Sequence, residues 1–480
     1  MPLFGTRGAA SVTGFGGLAK LGYLLRNSLR FRASASGYLS RTPASSGNRK
    51  TFTYSFWMKY SISSQYSVLF SAINSGGTDQ DALYIDNVTY AQAMTVRLDN
   101  GAFIAFATTQ AFRDPAAWYH VVMAMDTTQA TAANRLKLYI NGSEVTSFQT
   151  DGRSSITQNS DMNCWNRNGL HLIGSQAQSA PAYTHNGYFA EINFVDGLQL
   201  TPSSFGKTDP VTGQWIPIKF GGAYGTNGFY LNFTDASAAT AAAIGKDSSG
   251  NGNNWTPNNI SVTAGITYDS MTDVPTLTSV TAANYATLNP LALPPSGYTA
   301  GTFLSGNLQF TTGGVKIAKS TMTFPTSGKW YVECKSSGTN ASIDWIFGLT
   351  GMAAATPLNH SNPGINLYVS DTIYWLLNAS TQFTQAGAIS SSDVFQIAYD
   401  SSTGKVWLGK NNTYYTAAGA GTGNPSSGTN EFGTISTATE YCAYTGGNSG
   451  TTTSSINFGQ QPWAYTPPTN FVALNTYNLA

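Results

Sequence analysis

Charge is the scarcest feature of this sequence. Only 10% of its 480 residues are Asp, Glu, Lys or Arg, against about 25% in an ordinary globular domain. A disordered chain is rich in charge and poor in aromatics, and here 13% of residues are aromatic, so disorder is excluded. Glutamate is rarer still, with Glu144, Glu191, Glu333, Glu431 and Glu440 making up the whole set. A chain so short of a strong helix former is not helix-rich. Cys164, Cys334 and Cys442 are the three cysteines, too few for a disulfide framework. Pairing of Cys334 with Cys442 stays open, and buried free thiols are the expected state. No apolar run approaches the roughly 18 residues of a membrane span, so membrane insertion is not expected. Lys20 and Arg26 flank the apolar cluster near the N-terminus, so an ordinary secretory signal is not expected either.

What is abundant is glycine, 49 residues of it, together with Ser, Thr, Asn and Tyr. These are the residues of tight turns and pleated strands, and they define an all-β protein. The near-neutral sum of 24 basic and 23 acidic residues hides an asymmetry. Nine basic residues, among them Arg7, Lys20, Arg26 and Arg30, precede the first acidic one, Asp79. The body after them is correspondingly acidic. An Arg-bearing, acid-free, Ser/Gly-rich start has the composition of an organellar transit peptide, of an arm that docks on an acidic partner, or of a flexible basic tail. Its charges are too dispersed for nucleic-acid binding, which is not expected.

Periodicity divides the rest. Residues 29–202 alternate apolar and polar positions in short runs, the spacing of a sandwich. TFTYSFWMK at 51–59 and the nearly continuous WYHVVMAM at 118–125 are the strongest strands. Leu136, Leu138 and Ile140 run into Asn141-Gly142, the dipeptide suited to a type I′ hairpin turn. Residues 203–300 are turn-rich and read as a connector with one strand at 228–233. Residues 301–480 form a second strand-rich unit, with a hairpin through Thr403-Gly404 into KVWLGK at 405–410. The expected architecture is two antiparallel β-sandwiches (jelly rolls) joined by a turn-rich connector, behind an N-terminal basic arm at 1–28.

FTYSFWMK at 52–59, AAWYHVVMAMD at 116–126, RLKLYINGSEV at 135–145 and GYFAEINFVDGLQLTP at 187–202 together resemble the concanavalin A-like jelly rolls of the laminin-G and pentraxin type. GKWYVECK at 328–335, DVFQIAYDSSTGKVWLGKNN at 393–412 and INFGQQPWAYTPP at 456–468 resemble a SPRY-type sandwich. The pairing, with the stretches at 29–59 and 245–261, looks like tail-fibre and other virion-surface proteins of tailed bacteriophages. That resemblance implies host-surface carbohydrate or receptor binding, and it makes the basic arm, with Arg7, Lys20, Arg26 and Arg30, an anchor to other virion proteins.

Catalytic signatures are missing. A retaining glycosidase needs two carboxylates about 5–5.5 Å apart, commonly two residues apart on one strand face, and no Glu has another carboxylate within four residues. No G-x-S-x-G elbow occurs, and His120, His171, His185 and His360 lack metal-ligand spacing. An enzyme is not expected. Calcium is the one cofactor the sequence raises. Asp247, Ser249, Asn251 and Asn253 offer side-chain oxygens at alternate positions of a Gly-rich loop, although an ordinary turn has the same sequence. Asp79, Asp81 and Asp86 are a weaker candidate, read as a solvated loop. Sugar binding needs aromatic faces beside amides and carboxylates. Loop stretches with that mixture place Trp165, Tyr183, His185 and Asn186 in the first unit, and Trp375, Asn378 and Tyr414 in the second. Trp57, Trp118, Trp330 and Trp407 sit in strand runs and are expected in the core.

The expected function is therefore structural and adhesive: a virion protein on the phage tail or particle surface, anchored by its arm, with sandwiches that bind host glycan or receptor. A homo-oligomer, with a trimer as the guess, would convert weak sites into avidity. A decoration protein without a receptor, a glycan depolymerase and a secreted adhesin are the alternatives.

Overall fold

The computed structural model describes residues 22–479, apart from 62–64, 75, 78, 100–102, 179–180, 293–300, 338–344, 352–363, 370–371, 379, 387–388 and 448–449. Among these residues the longest α-helix is the four-residue Thr476–Leu479, and the rest of the regular structure is almost wholly antiparallel strand. No helix is long and apolar enough to cross a membrane.

The first sandwich has two eight-stranded sheets. Thr51–Tyr60 is central to one of them, between Trp118–Asp126 and Gly187–Asp196. Its even residues, Phe52, Tyr54, Phe56 and Met58, enter the core between the sheets beside Phe189 of the neighbouring strand, with Leu69, Phe70, Leu83 and Val96 opposite. The odd face carries Trp57 and Lys59, and it too is buried, because residues 273–285 and the second sandwich cover it. The N-G hairpin forms as expected: Asn141 and Gly142 have φ of 48° and 83°. A Cβ on Gly142 would stand 2.6 Å from the Trp215 ring, so close packing as well as conformation demands glycine there.

The second sandwich has an eight-stranded and a six-stranded sheet. Its core holds Trp345, Phe347, Leu367, Phe395 and Ile397. The hairpin joining Phe395–Asp400 to Lys405–Lys410 forms, with Gly404 at φ 75°. Trp57, Trp118, Trp330 and Trp407 are buried as expected. Cys164, Cys334 and Cys442 are buried free thiols, and Cys334 and Cys442 do not pair.

Residues 203–300 differ from the expected connector. Phe229–Leu231 pairs with Gly187–Asp196, Thr256–Asn258 with Tyr38–Arg41, and Ser270–Met271 with Ser28–Phe31. The segment thus adds strands to both sheets of the first sandwich. The strand expected at 228–233 forms as Phe229–Leu231, whereas Thr256–Asn258 and Ser270–Met271 are too short to show periodicity and read as turns. The same segment binds the two units. Gln460 Nε2 donates to the Ala286 carbonyl at 3.0 Å and Gln461 Nε2 to the Tyr268 carbonyl at 2.9 Å, while within the first unit Asp269 takes both Arg30 Nε at 3.0 Å and Arg32 Nε at 2.8 Å. Lys59 Nζ donates to Asp273, Asn284 and the Tyr285 carbonyl, each at 2.8 Å.

Arg30 is accordingly no anchor. Its side chain is fully buried, and beyond Asp269 it donates to the carbonyls of Ile266, Tyr268 and Ser305. The docked chain also begins before residue 29, because Leu25 is in the core and Tyr23 packs against it. Arg26 is exposed, while Arg7 and Lys20 lie outside the described residues.

Candidate functional site

An open cleft of about 740 Å³ lies where residues 219–226 face the turn 248–251. Its apolar wall is three rings. Phe220 stands edge-on to Tyr224, 5.1 Å between centroids, and Tyr224 lies nearly parallel to Tyr230 at 6.3 Å. Ser248, Ser249, Asn251 and Lys219 supply its polar groups. Gly221, Gly222 and Gly225 are exposed at the rim and leave the backbone open to a ligand.

The rings are held from behind. Tyr224 Oη donates to Asn193 Oδ1 at 2.7 Å, and Tyr230 Oη donates to Glu191 Oε2 at 2.8 Å. Tyr23 Oη shares a 2.5 Å hydrogen bond with Tyr230 Oη. Glu191 reaches this position through a β-bulge: the register of Gly187–Asp196 on Thr51–Tyr60 shifts between Ala190 and Asn193. Glu191 takes φ of 54°, a left-handed conformation that disfavours a residue with a Cβ. Bulges re-aim side chains in this way. Burial pushes the Glu191 carboxyl up to about 7, against the opposing hydrogen bonds from Tyr230 and Tyr23.

The loop read as a calcium site forms one side of this cleft and is not a cation cage. Both Asp247 oxygens are already taken: Oδ1 accepts from the N–H of Tyr230 and Ser249, and Oδ2 from the N–H of Asn253 and the Ser249 hydroxyl. Asn251 and Asn253 turn their amide nitrogens to the carbonyls of Gly225, Thr226 and Gly228. The Arg41 guanidinium donates to Asn253 Oδ1, so a positive charge already sits on that oxygen. The loop is therefore a clasp on residues 225–228, and it presents Ser249 and Asn251 to the cleft. Asp81 and Asp86 are buried rather than solvated, because each caps backbone N–H groups: Asp81 those of Cys164, Trp165 and Asp99, and Asp86 those of residues 88–90. Among the described residues no cluster of His, Cys, Asp and Glu is placed to hold a metal.

The sugar-contact residues expected from sequence are scattered. Trp165 is fully buried against Tyr54, and its backbone N–H is fixed by Asp81. His185 is fully buried and stacked on Phe189 at 4.6 Å, with Nδ1 2.9 Å from the Ser67 hydroxyl. Asn186 is buried too, and its Oδ1 accepts the Gly306 N–H, tying the first unit to the second. Trp375 is packed among Phe383, Tyr415 and Phe432, and Tyr414 lies with Tyr331 and Trp407. Only Tyr183, 42% exposed, and Asn378 face solvent, and they belong to different sandwiches. The cleft residues Phe220, Tyr224 and Tyr230 were missed because their segment read as connector. The signal available was the density of rings and glycines in FGGAYGTNGFYLNF at 220–233.

Residues 33–204 supply most strands of the first antiparallel β-sandwich. These residues match the family described as the Concanavalin A-like lectin/glucanases superfamily. A search of curated proteins finds no match. Among solved structures, a candidate carbohydrate binding protein of Bacteroides ovatus is similar at 14% identity and a TM-score of 0.32, over 49% of this chain and 59% of that one. Domains LG4-5 of the mouse laminin alpha1 chain are similar at 10% identity and a TM-score of 0.30, over 95% and 88%. The SPRY domain of human HERC1 is similar at 12% identity and a TM-score of 0.25, over 35% and 96%.

Proposed function

We propose that the protein is an adhesin that binds a glycan in the cleft between residues 219–226 and 248–251. The single observation that carries this reading is the cleft wall itself: three aromatic rings beside the hydroxyls of Thr226, Ser248 and Ser249, the side-chain oxygen of Asn251 and Lys219, on a lectin-type sandwich. Pyranoses have one apolar face to stack on a ring and hydroxyls for the amide. The wall contains no carboxylate, and Glu191 behind it is engaged by two tyrosines. This supports binding without hydrolysis, since glycoside cleavage takes two carboxylates. The resemblance of residues 29–59 and 245–261 to phage tail-fibre proteins supports display on a virion, with residues before Gly22 as the attachment.

The test is a glycan and host-polysaccharide binding assay on the full chain, with Tyr224→Ala beside it. Binding is expected to survive EDTA, because the clasp loop needs no cation. Loss of one stacking ring is expected to weaken binding about tenfold or less, with circular dichroism unchanged. New reducing ends in the polysaccharide would establish a depolymerase instead. Absence of any glycan or host-cell binding, with the protein located on particles by immunogold labelling, would establish a decoration protein.

A further inference from the structure

A second cavity, about 280 Å³, opens where the two sandwiches meet. One wall is residues 264–266, just before Tyr268, whose carbonyl accepts from Gln461 Nε2 of the second unit at 2.9 Å. The other is the outward face of Lys329–Ser336, with the C-terminal chain at residues 461–464 laid over it. On that strand Trp330, Val332 and Cys334 point into the core, so Glu333 and Lys335 share the outward face. Glu333 is fully engaged: its oxygens accept the N–H groups of Ala464 and Tyr465 and the hydroxyl of Tyr331, each at 2.9 Å. Lys335 makes no ion pair among the described residues. Trp463, edge-on to Tyr331 at 4.9 Å, and Ile266, 41% exposed, give the crevice its apolar surface. Ser455 accepts a hydrogen bond from Gln309 and keeps its own proton to donate.

We propose that this crevice is a second saccharide site, selective for a single sugar unit that carries a carboxylate. Its volume falls just under the roughly 300 Å³ at which sites for drug-sized ligands begin, so it suits one pyranose. Lys335 pairs with the carboxylate, which is worth more in a partly water-excluded crevice than on an open surface. Trp463 and Ile266 cover the apolar face of the ring, and Ser455 donates to a hydroxyl. Because it uses neither the residues nor the walls of the larger cleft, the proposal stands independently of that reading.

The experiment titrates the full chain with glucuronate and with sialyllactose, using glucose and lactose as neutral controls, and follows tryptophan emission. The acidic sugars are expected to change the emission and the neutral ones not to change it at this site. Trp463→Phe should abolish the change. Lys335→Ala should weaken acidic-sugar binding roughly tenfold or more, the worth of one charge-assisted hydrogen bond, while Lys335→Arg retains part of it. Tyr224→Ala should leave it untouched, so failure at the cleft and failure at the crevice are told apart. Equal affinity for glucose and glucuronate, full binding by Lys335→Ala, or equal competition by an oligoglutamate peptide would each overturn the proposal.

Discussion

At the scale of single residues, the informative ones are charged groups that fold inward. Arg30 stands in a run of basic residues with no acid near it in sequence, yet all its side-chain hydrogen bonds go to partners more than 230 positions away. A buried cation persists only where it is paired and hydrogen-bonded. Arg30→Ala would remove a donor from the carbonyls of Ile266, Tyr268 and Ser305 and leave Arg32 as the one cation paired with Asp269. The expected cost is about 3–5 kcal/mol, read as a lower midpoint in urea unfolding with unchanged slope. Arg30→Lys should recover only part of it, since an ammonium cannot reproduce the planar fork. Histidines show the same dependence on context. The Trp215 indole donates to His120 Nδ1 at 3.0 Å, so the His120 proton is on Nε2, facing the Ser55 hydroxyl at 2.9 Å. Nothing in WYHVVMAM announces either partner.

At the scale of elements, strands of seven to ten residues were legible, as were the short apolar ones at His171–Ile173 and Phe229–Leu231, but the short polar ones at Thr256–Asn258 and Ser270–Met271 were not. Thr51–Tyr60, Trp118–Asp126 and Gly187–Asp196 show two-residue alternation or a continuous apolar run, and the hairpin at Asn141-Gly142 is written in its turn residues. The short strands of residues 229–271 form because long neighbours offer them unpaired edges, a property of those neighbours. The sequence division at residue 202 therefore does not cut the molecule at a domain edge. A chain ending at residue 202 would lose partners for Ser28–Phe31, Tyr38–Arg41 and Gly187–Asp196. It would also expose Trp57, Trp118 and Tyr188, which pack into the core shared with the second sandwich. Such a fragment is expected to aggregate or to bind a hydrophobic dye, with broad amide resonances, where the full chain gives a folded spectrum.

At the scale of the whole molecule, buried titratable groups set the response to pH. Burial lowers His120 and His185 to about 3 and His171 to about 4. Each binds its proton in the unfolded chain near pH 6.5 but not in the folded one. Their stabilisation is complete above that pH and falls as pH drops toward 4 and 3. Burial raises Glu191 to about 7 and Asp81 to about 6, so these acids take up protons in the folded state first and oppose the histidines. Asp273 and Glu333 are raised by burial too, so between pH 6.5 and about 4.5 the raised acids offset much of the histidines' effect and the thermal midpoint should fall only gently. Below about 4.5 the unfolded carboxylates protonate as well, the opposition ends, and the fall should steepen. Glu191→Gln should steepen the decline between pH 7 and 4.5, because one opposing proton is gone. Scanning calorimetry across pH 3–8 checks both statements, and an unchanged slope in the variant would refute the role given to Glu191.

The sequence by itself determined the all-β class, the paired sandwiches, the long strands and the tight turns. These follow from local rules: period-two alternation, the φ tolerance of Asn and Gly, and the want of helix formers. Only the tertiary structure decided which face of each strand is covered, and so which polar and aromatic residues are available. Trp165 and His185 carry side chains fit for a sugar but are sealed in the core, while Tyr224 and Tyr230 line a cleft from a segment that read as connector. Even of the few charges the sequence has, Arg30, Lys59, Asp81, Glu191 and Asp273 are folded inside. Burial depends on what packs across from a residue, and that neighbour is usually hundreds of positions away in the chain.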